Sequence, residues 1–212
     1  EGTYEINSPL IGRYNVENLL AALAAANRLG VPVAQAIEGI PFFEGVPGRL
    51  ERIEAGQPFP VFVDYAHTDD ALLRLLKQLR VSVQSSGGRV KLLTLFGCGG
   101  DRDKSKRPRM GRVAAEFSDR VIVTSDNPRS EDPAAITQEI LKGIHASATP
   151  VEVILDRREA IQAALEQVDD QWLVVIAGKG HEAGQVVGER EIPFSDAAVV
   201  WEILTTSEAI SQ

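Results

Sequence analysis

Four apolar runs, each breaking at its carboxyl end into a cluster of glycines or charged residues, limit the folds open to this chain. The runs are Pro60 to Val63, Val90 to Phe96, Arg120 to Thr124 and Trp172 to Ala177. Between and beside them lie stretches of helical periodicity: an amphipathic segment through Leu79, Gly111 to Phe117, Pro133 to Ile144 and Arg158 to Val168, with a further short strand at Val151 to Leu155. Apolar runs alternating with amphipathic helices are the pattern of βαβ units, which join parallel strands through right-handed crossovers. The expected fold class is therefore α/β and Rossmann-like. Gln185 to Leu204 reads as a hairpin or edge strand followed by a helix capped at Ser195.

The start of the chain differs in character. A short strand is expected around Tyr4 to Ile6, then a helix from Asn15 through Asn27 whose apolar stripe includes Leu19, Leu20, Leu23, Ala24 and Ala26. Gly30 and Pro32 end it, and a second helical piece covers Ala34 to Glu38. Gly45, Pro47 and Gly48 then interrupt periodicity, placing a boundary near Pro47, with residues 1–47 as one piece and 48–212 as a domain. The absence of an initiator Met leads us to expect a chain lacking upstream domains.

Ligands of open α/β sheets lie outside the carboxyl ends of the strands, so the clusters at those ends carry the functional argument. There are four of them: Asp64 to Thr68, Gly97 to Arg107, Asp126 to Arg129, and Gly178 to Glu182. If the strands are parallel, all four rise on one edge of the sheet. Asp64 could accept hydrogen bonds from a ribose, with Tyr65 as a flat wall, or Asp64 and Thr68 could simply cap the next helix. His67 could be a phosphate contact, a base or a structural donor. In the second cluster, Arg102, Lys104, Lys106 and Arg107 suit an oxyanion, and the competing reading is a solvated charged turn. In the third, Pro128 constrains how Asn127 and Arg129 diverge, and Arg129 could clamp a carboxylate or pair on the surface with Glu131 or Asp132. Glu182 could accept from an ammonium, so that the two together would suit a zwitterion.

Several classes are disfavoured. Lys and Arg total 22 against 30 Asp and Glu, a net charge of -8 that speaks against a broad nucleic-acid or anionic-membrane surface. No apolar run approaches a membrane span. Cys98 is the single cysteine, which excludes an internal disulfide and suits a reducing, cytoplasmic setting. It reads as a packed side chain, and His145 likewise as structural. The scattered histidines give no metal-ligand spacing, so no metal site is expected in this chain. The phosphate-loop spacing of glycine, lysine and hydroxyl is absent, as is the glycine fingerprint of a dinucleotide-binding dehydrogenase.

Taken together, the segments Tyr14-Asn15-Val16-Glu17-Asn18-Leu19-Leu20-Ala21-Ala22, Gly48-Arg49-Leu50-Glu51, Val63-Asp64-Tyr65-Ala66-His67-Thr68, Gly97 to Pro108, Asp126-Asn127-Pro128-Arg129 and Ala177-Gly178-Lys179-Gly180-His181-Glu182 closely resemble the Mur ligase family, in particular its diaminopimelate-adding members. The resemblance runs nearly end to end. It implies the end of a central ATPase domain through about Pro47, followed by a complete C-terminal domain. It implies an ATP- and Mg2+-dependent ligase in the full-length protein, which phosphorylates the carboxylate of UDP-N-acetylmuramoyl-L-alanyl-D-glutamate and lets meso-2,6-diaminopimelate attack the acyl phosphate in peptidoglycan precursor synthesis. The catalytic residues would lie upstream, and the isolated chain would be an inactive monomer. Nucleotide contacts are implied for Asn15, Asn18, Arg49, Asp64, Tyr65, His67, Lys104 and Lys106, and amino-acid contacts for Arg102, Asp126, Asn127, Pro128, Arg129, Gly178 and Glu182. The family often has proline at the position of Asp69, glycine at Ser105, and an acidic-aromatic pair at Ala183 and Gly184, departures that bear on loop shape. A noncatalytic or organellar relative serving as an interaction protein is the alternative.

Overall fold

The computed structural model describes residues 2–85, 90–144 and 147–210. It divides into two compact units, Glu1–Val46 and Pro47–Gln212. The first contains helix α1 (Arg13–Arg28), helix α2 (Val33–Glu38) and a 3-10 turn at Ile40–Phe42. Within α1 the run Leu19 to Ala26 consists entirely of leucine and alanine, the residues that favour helix most. Tyr4 to Ile6 does not form the expected strand. A strand needs a neighbour for its backbone groups, and no described segment of this unit pairs with it. Tyr4 and Ile6 instead line a 260 Å³ cavity with Leu20, Leu23, Val33 and Ile37.

The second unit is built on a six-stranded sheet in which the strands lie side by side in the order Glu51–Ile53, Val61–Asp64, Trp172–Ala177, Lys91–Phe96, Arg120–Val123 and Val151–Val153. The strands are β1 (Glu51–Ile53), β2 (Val61–Asp64), β3 (Lys91–Phe96), β4 (Arg120–Val123), β5 (Val151–Val153) and β6 (Trp172–Ala177). β1 runs antiparallel to β2 and every other pairing is parallel. The helices are α3 (Asp69–Ser85), α4 (Lys106–Phe117), α5 (Pro133–Leu141), α6 (Arg157–Glu166) and α7 (Asp196–Ile210). α3 packs on α4 and α4 on α5, while α6 packs on α7.

Both faces of the central strands are covered, which is why β3 and β6 read as continuous apolar runs rather than alternating ones. Val61, Val63, Leu93, Leu95, Ile122, Val174 and Ile176 form one core with Ala160, Ile161, Ala164 and Leu165 of α6 and Val199, Val200 and Leu204 of α7. The intervening strand residues, among them Phe62, Leu92, Phe96 and Val175, point the other way by the period of two, and are also buried. α3 contributes Leu72, Leu76 and Leu79, each fully buried and each stabilising by about 1.5–3 kcal/mol.

Helix α4 begins at Lys106, earlier than the expected Gly111. Pro108 is compatible with this because it sits in the first turn, where its missing N–H has no intrahelical partner to lose. Conversely, α5 ends at Leu141, and Lys142 to Ile144 continue as turns. His145 lies outside the described residues. Strand β1, not expected from the sequence, is only three residues long and too short to show a period. The expected hairpin is present as β7 (Gly184–Val187) and β8 (Arg190–Pro193), and the Ser195 hydroxyl accepts from the Ala198 N–H at 3.4 Å at the start of α7.

Candidate functional site

The four clusters singled out in the sequence follow β2, β3, β4 and β6, which are four adjacent parallel strands. Parallel direction alone therefore brings them to one edge of the sheet. Glycines let them close on one another. A Cβ on Gly97 would collide with the Thr124 carbonyl and one on Gly100 with that of Pro128, so the loop after β3 lies directly against the loop after β4. Gly178 has φ +117°, and a Cβ there would fall 2.8 Å from Asp126 Oδ2.

Lys179 organises the side of this edge formed by the loops after β4 and β6. Its side chain is fully buried, and Nζ donates to Asn127 Oδ1 at 3.0 Å and to Glu182 Oε2 at 2.9 Å. Asn127 Nδ2 donates to the same Glu182 oxygen at 2.8 Å, and the Val186 N–H donates to Asn127 Oδ1 at 2.9 Å. Burial pushes the Glu182 carboxyl up, but the hydrogen bonds from Lys179 and Asn127 outweigh it and hold the group below its usual range. Asp126 turns inward, its Oδ1 accepting the Asn127 N–H at 2.7 Å. Asp126, Asn127 and Pro128 are all buried.

Arg129 is held by its backbone. It has φ +52°, a sparsely populated conformation for a side chain of this size, and the hairpin pins it there. Its N–H donates to the Val186 carbonyl at 3.0 Å, and the Gly188 N–H donates to its carbonyl at 2.7 Å. The guanidinium donates from Nη1 to the Gly100 carbonyl at 2.8 Å, and no ion pair to it occurs among the described residues. Surface pairing of Arg129 with Glu131 or Asp132 is thus not what the structure shows: Glu131 is taken by Lys104 at 2.9 Å and Arg107 at 3.0 Å. Arg102 and Arg129 flank Gly99, and the exposed Arg102 donates to the adjacent Asp101 carbonyl at 2.9 Å.

The rest of the basic run splits in two. Arg107 is fully buried between Glu131 and Glu139, and Lys106 donates from Nζ to the His67 carbonyl at 2.6 Å, which ties the loop after β2 to the start of α4. These two side chains brace the loops from inside. Lys104 is exposed. Ser105 donates to Asp103 Oδ1 at 2.6 Å, and Asp69 pairs with Arg109 at 2.8 Å, so both departures from the family pattern have local partners. Cys98 is packed as expected: it donates to Met110 Sδ at 3.6 Å, and burial pushes its thiol up to about 12.

The loop after β2 carries an aromatic group. The Arg49 guanidinium sits 4.7 Å over the Tyr65 ring, whose other neighbours are His67 at 4.5 Å and His181 at 5.2 Å. Arg49, His67 and His181 are exposed, as a planar ligand would require. Asp64 is buried beneath them and does not cap α3. Its two oxygens accept the Leu50 N–H at 2.7 Å and the Ala66 N–H at 2.8 Å, and Thr68 takes the cap through the Ala71 N–H at 3.2 Å. Burial raises the Asp64 carboxyl above its usual value against those two hydrogen bonds. In the first unit, Asn15 Nδ2 donates to the Ile11 carbonyl and Asn18 Nδ2 to Asn15 Oδ1.

The Mur ligase, glutamate ligase domain matches residues 48–180. The chain belongs to the Mur ligase family. It is 47% identical over 95% of its length to the UDP-N-acetylmuramoyl-L-alanyl-D-glutamate–2,6-diaminopimelate ligase of Solibacter usitatus, and 45% identical over 99% to that of Trichormus variabilis. A solved structure of a ligase of the same name superimposes with a TM-score of 0.73 at 41% identity, covering 98% of this chain and 41% of that one. A UDP-N-acetylmuramate-alanine ligase from Thermotoga maritima, at 18% identity and a TM-score of 0.69, shares the fold. The chain spans about two fifths of the length of these relatives, 40% and 42% for the two sequences.

Three residues of the site were not singled out as contacts from the sequence: Lys179, His181 and Gln185, whose Nε2 donates to the Asp126 carbonyl at 2.6 Å. Lys179 and His181 stood in plain view inside a recognised cluster. Nothing in the pattern marked Gln185, because its role depends on where the hairpin folds back.

Proposed function

We propose that this chain is the amino-acid- and nucleotide-binding part of an ADP-forming ligase that adds meso-2,6-diaminopimelate to UDP-N-acetylmuramoyl-L-alanyl-D-glutamate, in the cytoplasm and for peptidoglycan synthesis. The observation that carries this reading is the paired presentation of an Arg129 guanidinium without an ion-pair partner among the described residues and a Glu182 carboxylate held charged by Lys179 and Asn127. Diaminopimelate has a carboxylate and an ammonium on its distal carbon. A planar donor fork suits the first and an ionised acceptor the second. Arg102, flanking Gly99 beside Arg129, adds positive charge for the carboxylate.

ATP fits the other end of the edge, where Tyr65, backed by Arg49 and flanked by His67 and His181, offers a flat cationic face to a nucleoside. Lys104, exposed at the loop after β3, is the remaining basic contact for an anionic group, with Lys106 supporting that loop. ATP would supply the phosphoryl group that activates the carboxylate of the acceptor substrate. Mg2+ would enter with the ATP phosphates, which together with water and one or two carboxylates usually complete its shell, and no residue of this chain is proposed as its ligand. In this reading residues 1–47 are the end of the central ATPase domain, Asn15 and Asn18 are its adenine contacts, and the protein works as a monomer without nucleic acid or membrane. No helix among the described residues is long and apolar enough to cross a membrane.

The test is amide formation from ATP, magnesium, the UDP-linked dipeptide and meso-diaminopimelate, run with a full-length protein carrying this chain and with the chain alone. Product is expected from the first only. Phosphoryl transfer depends on a positioned metal ion and on groups that grip the phosphates, and the sequence has no phosphate-loop spacing of glycine, lysine and hydroxyl. Product from the chain alone, or none from the full-length protein, would overturn the reading.

A further inference from the structure

Arg157 and Asp196 form an ion pair with no solvent exposure on either side chain, Nε to Oδ1 at 2.7 Å and Nη2 to Oδ2 at 2.8 Å. Arg157 opens α6 and Asp196 opens α7. The pair therefore joins the first turns of the two helices packed on one face of the sheet. Burying two charges is costly, and apolar residues of similar volume would often serve stability as well. The remaining donors of Arg157 suggest what the pair is for. Nη1 donates to the Ser125 carbonyl and Nη2 to the Ala177 carbonyl, each at 3.2 Å. Ser125 is the residue before Asp126 and Ala177 the residue before Gly178. One guanidinium thus grips the backbone at the two points from which the loops carrying Arg129 and Glu182 depart.

We propose that Arg157 is a positioning residue for the amino-acid site: by fixing these two carbonyls relative to each other, it sets the spacing between the Arg129 guanidinium and the Glu182 carboxylate, and with it the preference for a substrate bearing both charges on its distal carbon. It does not touch the substrate. A planar fork is needed for the task, because four directed hydrogen bonds to three separate groups exceed what an ammonium can aim. Asp196 fixes the plane of the fork, and the charge of Arg157 also acts on Asp126 and Glu182. The carbonyl–guanidinium contacts lie under the amino-acid end of the sheet edge; Tyr65 and Arg49, the nucleotide end, receive no bond from Arg157. Loosening the grip should therefore affect one substrate and spare the other.

This inference rests on the diaminopimelate reading, and the experiment separates the two. In a full-length protein carrying this chain, wild type, Arg157→Lys and the double variant Arg157→Met/Asp196→Leu are compared for KM and kcat with meso-diaminopimelate, for KM with ATP, and for thermal midpoint. Arg157→Lys keeps a cation opposite Asp196 and so protects the fold. The double variant fills the space with apolar side chains and removes both carbonyl contacts. Both are expected to raise KM for diaminopimelate about 10- to 100-fold, the penalty for misplacing a binding group by about an ångström, and to lower the preference over lysine. KM for ATP is expected to stay at the wild-type value. A folded double variant with unchanged KM for diaminopimelate overturns the proposal and leaves Arg157 a purely structural residue. Equal rises in both KM values overturn it as well, since they report general loosening. A wild type that does not use diaminopimelate removes the functional reading itself, and the positioning role with it.

Discussion

The fully buried Lys179 ammonium and the Glu182 carboxylate meet at 2.9 Å, three residues apart on one loop, and both are bound to the Asn127 side chain. A cation shielded from water is therefore the local reason that Glu182 stays ionised, and the carboxylate presented to the sheet edge depends on a residue that need not contact any ligand.

Replacing Lys179 with Met should release Glu182 from that control. Its carboxyl lies below the ordinary value in the wild type, so its charge is lost at a lower pH than that of an ordinary glutamate. Without Lys179, burial prevails and the loss moves to higher pH. An NMR titration of the Glu182 side chain reads this directly. The same midpoint in wild type and Lys179→Met would show that Asn127 alone sets the charge.

Glu131 provides a second pH test, on stability. Hydrogen bonds from Arg107, then Lys104, and from the Asp101 N–H lower its pKa from 4.5 to about 2. A depressed carboxylate stabilises the folded state fully above its unfolded pKa and loses that contribution as pH falls through the folded one. The gap in urea midpoint between wild type and Glu131→Gln should thus be constant above about pH 5, shrink as pH drops below the unfolded value and close near the folded one. A gap independent of pH would mean that Glu131 acts through packing rather than charge.

The sequence exposed the parts of this molecule that repeat locally and concealed those that depend on chain return. The strands at Val61, Lys91, Arg120 and Trp172 announce themselves because both faces of each are buried, and the clusters following them converge once the strands are parallel. Charge sites were harder. Arg102, Lys104, Lys106 and Arg107 read as one basic run, yet Arg107 is buried with two glutamates and Lys106 spans to the His67 carbonyl, while Arg102 and Lys104 remain exposed. Spacing along a loop does not tell which side chains turn inward. Arg157, which looks like any helix-opening charge, has its partner 39 residues away. Tyr4 to Ile6 failed for the complementary reason: apolar and aromatic residues favour strand only where another strand pairs with them.

Asp64→Ala should reduce stability as well as nucleotide use. Its oxygens accept the N–H groups of Leu50 and Ala66, and Leu50 has φ +48°, a conformation that an apolar side chain does not hold without support. Orphaning a buried donor costs about 1–3 kcal/mol. Calorimetry should show a lower thermal midpoint, and because Leu50 follows Arg49, the guanidinium stacked on Tyr65 should loosen with it. Weaker nucleotide affinity without any loss of thermal stability would contradict this arrangement and indicate direct contact through Asp64.

Arg129 is the residue on which the choice between meso-diaminopimelate and lysine should turn. Both amino acids offer an amine to an acyl phosphate, but only diaminopimelate carries a second carboxylate beside its distal ammonium. Arg129 comes to the site with its backbone fixed at φ +52° by Val186 and Gly188, with one guanidinium nitrogen on the Gly100 carbonyl and no carboxylate partner among the described residues. Bound lysine would leave that charge without a partner in a half-buried position. Removing one member of a buried, hydrogen-bonded charge pair costs about 2–5 kcal/mol, and partial solvent access here places the expectation at the lower end of that range. The comparison is kcat/KM for the two amino acids in a full-length protein carrying this chain, as wild type, Arg129→Ala and Arg129→Lys. Arg129→Ala should lose diaminopimelate use by at least about tenfold while lysine use does not fall in step. Arg129→Lys should recover little, because an ammonium restores the charge but not the two-pronged geometry. Full recovery by Arg129→Lys would reduce the clamp to a simple point charge. A wild type that uses lysine as well as diaminopimelate, or an Arg129→Ala variant with unchanged preference, would move discrimination elsewhere, to Arg102 or Glu182.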